Sequence, residues 1–314
     1  MLPLIGFWSG LERAGARKRM LVLYWFVHTL CALIAALPAS AAAVAPLARS
    51  TMADELLRQF DFAWLAEWFA NGGESALPAL AAAALMAAAL LWLASVGLAG
   101  GAVALIADAD SPYAPALFWQ NAGRNFWRFL RLSLYFLLIY AVVYAASGLI
   151  VRVADAIWGE GLAAAPVVRA RQVRLGLLIV LFGIISTASD FAKVRLVLAD
   201  SRQSLRACLG SLRLAARNPG VIFWLWACFA AAAAAAAWVY VESANRLESA
   251  RGAGFAVLVL VQQAYVLLRI YLRFAAWGAA AELDPLLRPL PAAEPESAPA
   301  PAGPAAPELP DYEI

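Results

Sequence analysis

Apolar runs too long for a soluble domain alternate with short basic connections along this chain. A window of about 19 residues picks out six of them. They run from Met20 to about Val44, Leu77 to Ile106, Phe129 to Val151, Leu175 to Leu198, Val221 to Val241 and Phe255 to Ala280. A helix needs about 20 mostly apolar residues to cross a bilayer, and each run reaches that length. The pattern predicts an all-α polytopic membrane bundle of six transmembrane helices over residues 1–283. Charges near the C-terminal ends of the fourth and sixth runs predict helices that leave the bilayer and continue into water. The first run has a rival reading. Arg17-Lys18-Arg19 followed by an apolar stretch and small residues from Ala36 to Ala45 resembles a secretory signal peptide. The run exceeds the 7–15 residues of a usual signal core, so a retained helix is the expectation.

Two connections carry amphipathic patterns. Between the first and second runs, over residues 50–70, Thr51 and Asp54 fit a helix start. Leu57, Phe60, Trp64 and Trp68 follow at helical spacing. This predicts an aromatic-rich helix lying on the outer surface, with a lid over an outer cavity as the functional alternative. Over residues 201–217, Arg202, Arg206, Arg213 and Arg217 are spaced by 4, 7 and 4. At 100° per residue they fall within about 60° of one another. Leu205, Cys208, Leu209, Leu212, Ala215 and Ala216 form the adjoining face. The basic stripe is a candidate face for anionic lipid, against the plainer reading of topology-setting charge.

Composition agrees with the pattern. Hydrophobic residues make up 64% of the 314 and charged ones only 14%, against about 25% in an ordinary soluble domain; mean hydropathy is +0.74. The net charge of +3 is too small to argue for nucleic acid. In the six-span topology 16 of the 24 Lys and Arg residues fall on one face and 8 on the other. Basic loops stay cytoplasmic, which puts both termini inside, in the inner membrane of a bacterium. Arg169, Arg171 and Arg174 sit on the sparse side and would snorkel at the start of the fourth helix. The segment 284–314 holds 9 of the 17 prolines. It cannot bury a core and is expected to be a disordered cytoplasmic tail, able to tether a soluble protein partner.

A weak internal repeat is present. G-L-E-R-A-G-A-R at Gly10 to Arg17 and G-S-L-R-L-A-A-R at Gly210 to Arg217 share four of eight positions at an offset of 200. A-G-R-N at Ala122 to Asn125 precedes the third run. A-D-S ends the second run at Ala109 to Ser111 and the fourth at Ala199 to Ser201. The expectation is three helical hairpins, each led by a short basic surface helix.

Ionisable groups at membrane depth are costly, so they are the functional leads. Ser186, Asp190 and Lys193 share a face of the fourth helix. Gln262, Arg269 and Arg273 share a face of the sixth. Asp190 is expected to meet Arg269 or Arg273 across the bundle. Either this is a structural ion pair, or it walls a polar cavity open to the cytoplasm, with Arg124, Asn125 and Arg128 at its mouth. His28 stands alone in the first run and reads as a hydrogen-bonded packing residue. Cys31, Cys208 and Cys228 form no C-x-x-C and read as small apolar fillers. No hydrolase, phosphate-loop or metalloprotease motif occurs. The expectation is a non-enzyme with no catalytic, cofactor or metal residues.

The run S-D-F-A-K-V-R-L-V-L-A-D-S-R-Q-S-L from Ser189 to Leu205 and the R-N-P at Arg217 to Pro219 resemble bacterial six-helix inner-membrane proteins. Those are in turn similar to the membrane domain fused to some glycerophosphodiester phosphodiesterases. The resemblance covers most of residues 1–283. It implies an all-helical membrane domain with no established activity, without the phosphodiesterase catalytic domain, and it supplies no catalytic residues. The two functional expectations are a non-catalytic scaffold or accessory component that contacts anionic lipid, and a transporter or lipid-handling protein with a cavity between the fourth and sixth helices.

Overall fold

The computed structural model describes residues 1–47, 74–108, 113–158, 164–200, 203–247 and 253–288. Every regular element among them is an α-helix: α1 Leu2–Gly15, α2 Lys18–Leu47, α3 Glu74–Ala107, α4 Pro115–Trp158, α5 Ala164–Leu198, α6 Ser204–Arg217, α7 Pro219–Leu247 and α8 Ala253–Leu287. The expected outer helix over 50–70, the A-D-S at Ala109 to Ser111, Arg202 and the tail beyond Arg288 lie outside the described residues.

By length and composition, five helices among the described residues can cross a membrane: the spans Pro78–Ala107, Pro115–Val153, Val168–Leu198, Pro219–Leu247 and Ala256–Leu287. Helix α2 coincides with the first expected run but is not among the five. Helix α4 differs most from expectation. Its 44 residues at 1.5 Å each extend about 66 Å, twice the roughly 30 Å of a hydrocarbon core. The basic A-G-R-N segment is therefore no separate surface helix but the first turns of α4. Two of the three expected leading helices do exist, α1 before α2 and α6 before α7. Consecutive packing runs α2–α3–α4–α5 without a break, so contacts alone do not delimit three hairpins. Helix α8 continues through Pro285 to Leu287, past the expected start of the tail. A proline in the last turn forfeits one backbone bond that a fraying end loses easily.

Nearly all buried side chains gather at one end of the bundle. Leu98 to Ile106 pack from the C-terminal half of α3, Phe118 to Phe136 from the N-terminal half of α4, and Phe191 and Leu196 from α5. Phe274 and Leu283 of α8 and Ile222 and Leu225 of α7 close the core. In the other half Leu85, Leu149, Val173, Trp238 and Val257 are exposed. Outward apolar faces of this extent suit lipid as solvent, where side chains need not hide from water. Helix α5 is the inner member: 39% of its span window is buried, against 11% in each of the other four.

Helix α1 lies along α8. Gly6, Gly10 and Ala14, four residues apart, form its buried stripe. A Cβ built on Gly10 would overlap the backbone carbonyl of Ala275, so only glycine permits this approach. Arg13 pairs with Glu282, and the Tyr271 hydroxyl donates to the Leu11 carbonyl at 2.8 Å. The aligned Gly10 and Gly210 thus both sit on 14-residue helices that precede long apolar ones. Toward the opposite end, Arg174 Nε donates to Ser147 Oγ at 3.1 Å, and its guanidinium lies 4.9 Å from the Tyr144 ring. A hydroxyl and a ring face hold this cation.

Candidate functional site

The central feature is the carboxylate of Asp190. It sits on the inner helix α5 and is only 3% exposed. Arg273 of α8 binds it with both terminal nitrogens, Nη1 to Oδ2 at 3.0 Å and Nη2 to Oδ1 at 2.7 Å. Trp277, one turn further along α8, donates its indole N–H to Oδ1 at 2.9 Å. Lys193, one turn further along α5, places Nζ 3.7 Å from the same oxygen. Both cations also lie over the Trp277 ring, Arg273 at 5.5 Å and Lys193 at 5.7 Å. A buried carboxylate is tolerated only when partners compensate it; here Arg273 and Trp277 donate to it and Lys193 adds a charge at ion-pair distance.

This cluster forms one wall of a cavity of about 610 Å³, within the range of about 300–1,000 Å³ typical of ligand pockets. Lys193, Arg269 and Arg273 enter it from α5 and α8. His28 and Ser95 enter from α2 and α3, and Ser133 from α4. The other walls are apolar and aromatic, among them Trp92, Val96, Phe129 and Phe274. Three cations thus line the cavity against one carboxylate, Asp190, which meets Lys193 and Arg273 but not Arg269, and two positive charges are in excess. Arg269 stacks 5.9 Å from the Tyr265 ring, and among the described residues no carboxylate lies within ion-pair distance of it. His28 Nδ1 lies 2.8 Å from the Tyr24 carbonyl and Nε2 lies 3.2 Å from Ser95 Oγ. A carbonyl can only accept, so Nδ1 carries hydrogen and donates to it. Tyr24 also lines the cavity, and its buried hydroxyl has no hydrogen-bond partner among the described residues. A buried donor without a partner is uncommon in a finished site.

The expected site residues separate into groups. Asp190, Lys193, Arg269 and Arg273 come together. Ser186 is half-buried beside Tyr140 and is not in the lining. Gln262 is exposed, because it sits two turns from Arg269, in the loosely packed half of α8. Its neighbour Gln263 instead accepts from Trp25 Nε1 at 2.8 Å. Arg124 and Arg128 lie elsewhere, both paired with Asp200 at the end of α5. The hydrogen bond from Arg128 is the main cause holding the Asp200 carboxyl below its ordinary range. Asp200 is in the left-handed region at φ 43°, which Asp tolerates better than most residues. Asn125 is buried and donates to the Asn121 carbonyl at 3.0 Å, a packing position between α4 and α3.

Helix α6 carries Arg206, Arg213 and Arg217 as expected, but its apolar residues divide. Cys208 and Ala215 turn into the bundle with Ser204, Ser211 and Leu214. Burial among these pushes the Cys208 thiol up. Leu205 and Leu209 stay more than half exposed.

Sequence reasoning missed Trp277, Tyr24, Ser95 and the cavity role of His28. Trp277 was findable, since it continues the Arg269–Arg273 row at i+4. Compared with protein-family models, curated proteins and solved structures, the chain matches none.

Proposed function

We propose that this is a non-catalytic polytopic protein of the bacterial inner membrane that takes an amphipathic anion, such as an acidic lipid, into the central cavity. On this reading α2 is a sixth span and both termini lie on the cytoplasmic side with the basic end of the bundle. The observation that carries it is the charge surplus: Lys193 and Arg273 share Asp190, and Arg269 lines the same chamber with no carboxylate of its own among the described residues, while the remaining walls are largely apolar. An anionic head would neutralise the surplus beside Arg269 and give the Tyr24 hydroxyl a partner. The tail of such a molecule would lie against Trp92, Val96 and Phe129. Ion pairs formed away from bulk water gain from weak screening.

The scaffold reading depends on the surface of α6 and makes the cavity dispensable. Native mass spectrometry of the full chain from nanodiscs containing phosphatidylglycerol and phosphatidylethanolamine distinguishes the two. Retained phosphatidylglycerol that is lost in Arg269→Ala supports the cavity reading. Arg269 is the variant of choice because no carboxylate depends on it. Equal retention in Arg269→Ala and in a folded Arg273→Gln protein refutes it.

A further inference from the structure

A second cavity, of about 390 Å³, opens between α6 and the ends of α5 and α8. It shares no lining residue with the central one. Five guanidinium groups line it: Arg206, Arg213 and Arg217 from α6, Arg195 from α5 and Arg288 just beyond α8. No carboxylate is in the lining. Asp284 lies wholly buried beside it. Asp284 accepts from Arg195 Nε at 2.5 Å and pairs with Arg288. It therefore fixes the direction of two guanidiniums while cancelling one charge of five.

The backbone makes room for this convergence. A Cβ on Gly210 would lie 3.1 Å from Arg195 Nη1, so glycine at this point of α6 lets the α5 side chain rise into the cavity. Bound through Nε, Arg195 keeps both terminal nitrogens for another acceptor. The three α6 arginines fall within about 40° of one another around the helix and face the other two.

We propose that this cavity binds a phosphate group. Five guanidiniums brought together against one carboxylate repel one another, and an anion that accepts from several at once removes that cost. Planar donors in pairs match phosphate oxygens bidentately. The phosphate could belong to a phospholipid head group or to a soluble phosphorylated molecule. The neighbouring stripe of α6, with Leu205 52% and Leu209 58% exposed, would lie at a membrane surface beside the cavity and favours the lipid.

The test uses the full chain in a neutral detergent, with thermal unfolding followed during titration. One arm adds inorganic phosphate against chloride of matched ionic strength; the other adds short-chain phosphatidic acid against phosphatidylcholine of the same chain length. The expected result is a saturable rise in unfolding temperature in at least one arm. Arg213→Gln combined with Arg217→Gln should weaken it by about tenfold or more, the loss of at least one charge-assisted hydrogen bond. Both residues are exposed and carry no structural ion pair, so that variant should fold. A response to inorganic phosphate assigns a soluble ligand, and a response to phosphatidic acid alone assigns the lipid. No saturable response in either arm overturns the proposal, as does a response that the double variant retains in full.

Discussion

Replacing Arg273 by Gln removes both guanidinium bonds to Asp190 and leaves that carboxylate with the Trp277 N–H and a lysine 3.7 Å away. Removing one partner of a buried ion pair costs about 3–5 kcal/mol, because the other charge stays buried without compensation. Asp190 is 3% exposed but keeps the Trp277 donor and the Lys193 charge, so the lower end applies, about 3 kcal/mol. That is roughly a hundredfold change in the unfolding equilibrium. Asp190→Asn alone leaves Lys193 and Arg273 around a neutral amide, although the amide oxygen can still accept from Trp277. The double variant Asp190→Asn with Arg273→Gln removes the charge and its main partner together. It should therefore be more stable than the sum of the single losses by about 2 kcal/mol, within the usual coupling range for residues in one network. Equilibrium unfolding in mixed micelles measures all four proteins of the cycle. Strictly additive losses would refute the view that Arg273 compensates Asp190, whatever the absolute stabilities.

Three further outcomes follow from the packing. Gly10→Ala should shift α1 off α8 and cost about 1–3 kcal/mol, the usual range for overpacking; unchanged thermal unfolding would contradict the contact with Ala275. Trp277→Phe keeps the ring beneath Arg273 and Lys193 but loses one hydrogen bond to a charged acceptor, about 1.5–3 kcal/mol, read in the same unfolding assay. Asp200 has its carboxyl lowered by Arg128 and Arg124. Its contribution is complete above the ordinary aspartate range and is lost as pH falls below about 4 through the lowered value. Asp200→Asn, which suits the same left-handed backbone, should flatten the acid dependence of thermal unfolding between pH 5 and 3. The effect is small because the pair is exposed, and an unchanged acid slope would argue against the staple.

The long apolar helices were legible because a membrane span is a local property. Some 20 apolar residues cross a bilayer whatever packs beside them, and helices α3, α5, α7 and α8 fall where the hydropathy places them. That Asp190 would meet Arg269 or Arg273 was legible for a related reason, since an acid in an apolar helix demands a cation; that it is Arg273 was not. Other features were hidden because they depend on where helices meet. Nothing local marks A-G-R-N as the interior of a 44-residue helix rather than the end of a surface one. Arg124 and Arg128 have a carboxylate only because the turn after α5 brings Asp200 beneath them. Helix α6 reads as two-faced in sequence, yet its neighbours bury Cys208 and Ala215 and leave Leu205 and Leu209 outside. Composition and the long apolar runs were enough to read the membrane class and to place most of the long apolar helices, because both are local properties of the chain. Which cations come to share a cavity could be read only from the fold. That rests on α5 meeting α8 at Asp190 and Arg273 and on Arg195, Arg288 and α6 converging beside Asp284, contacts between residues far apart in the chain.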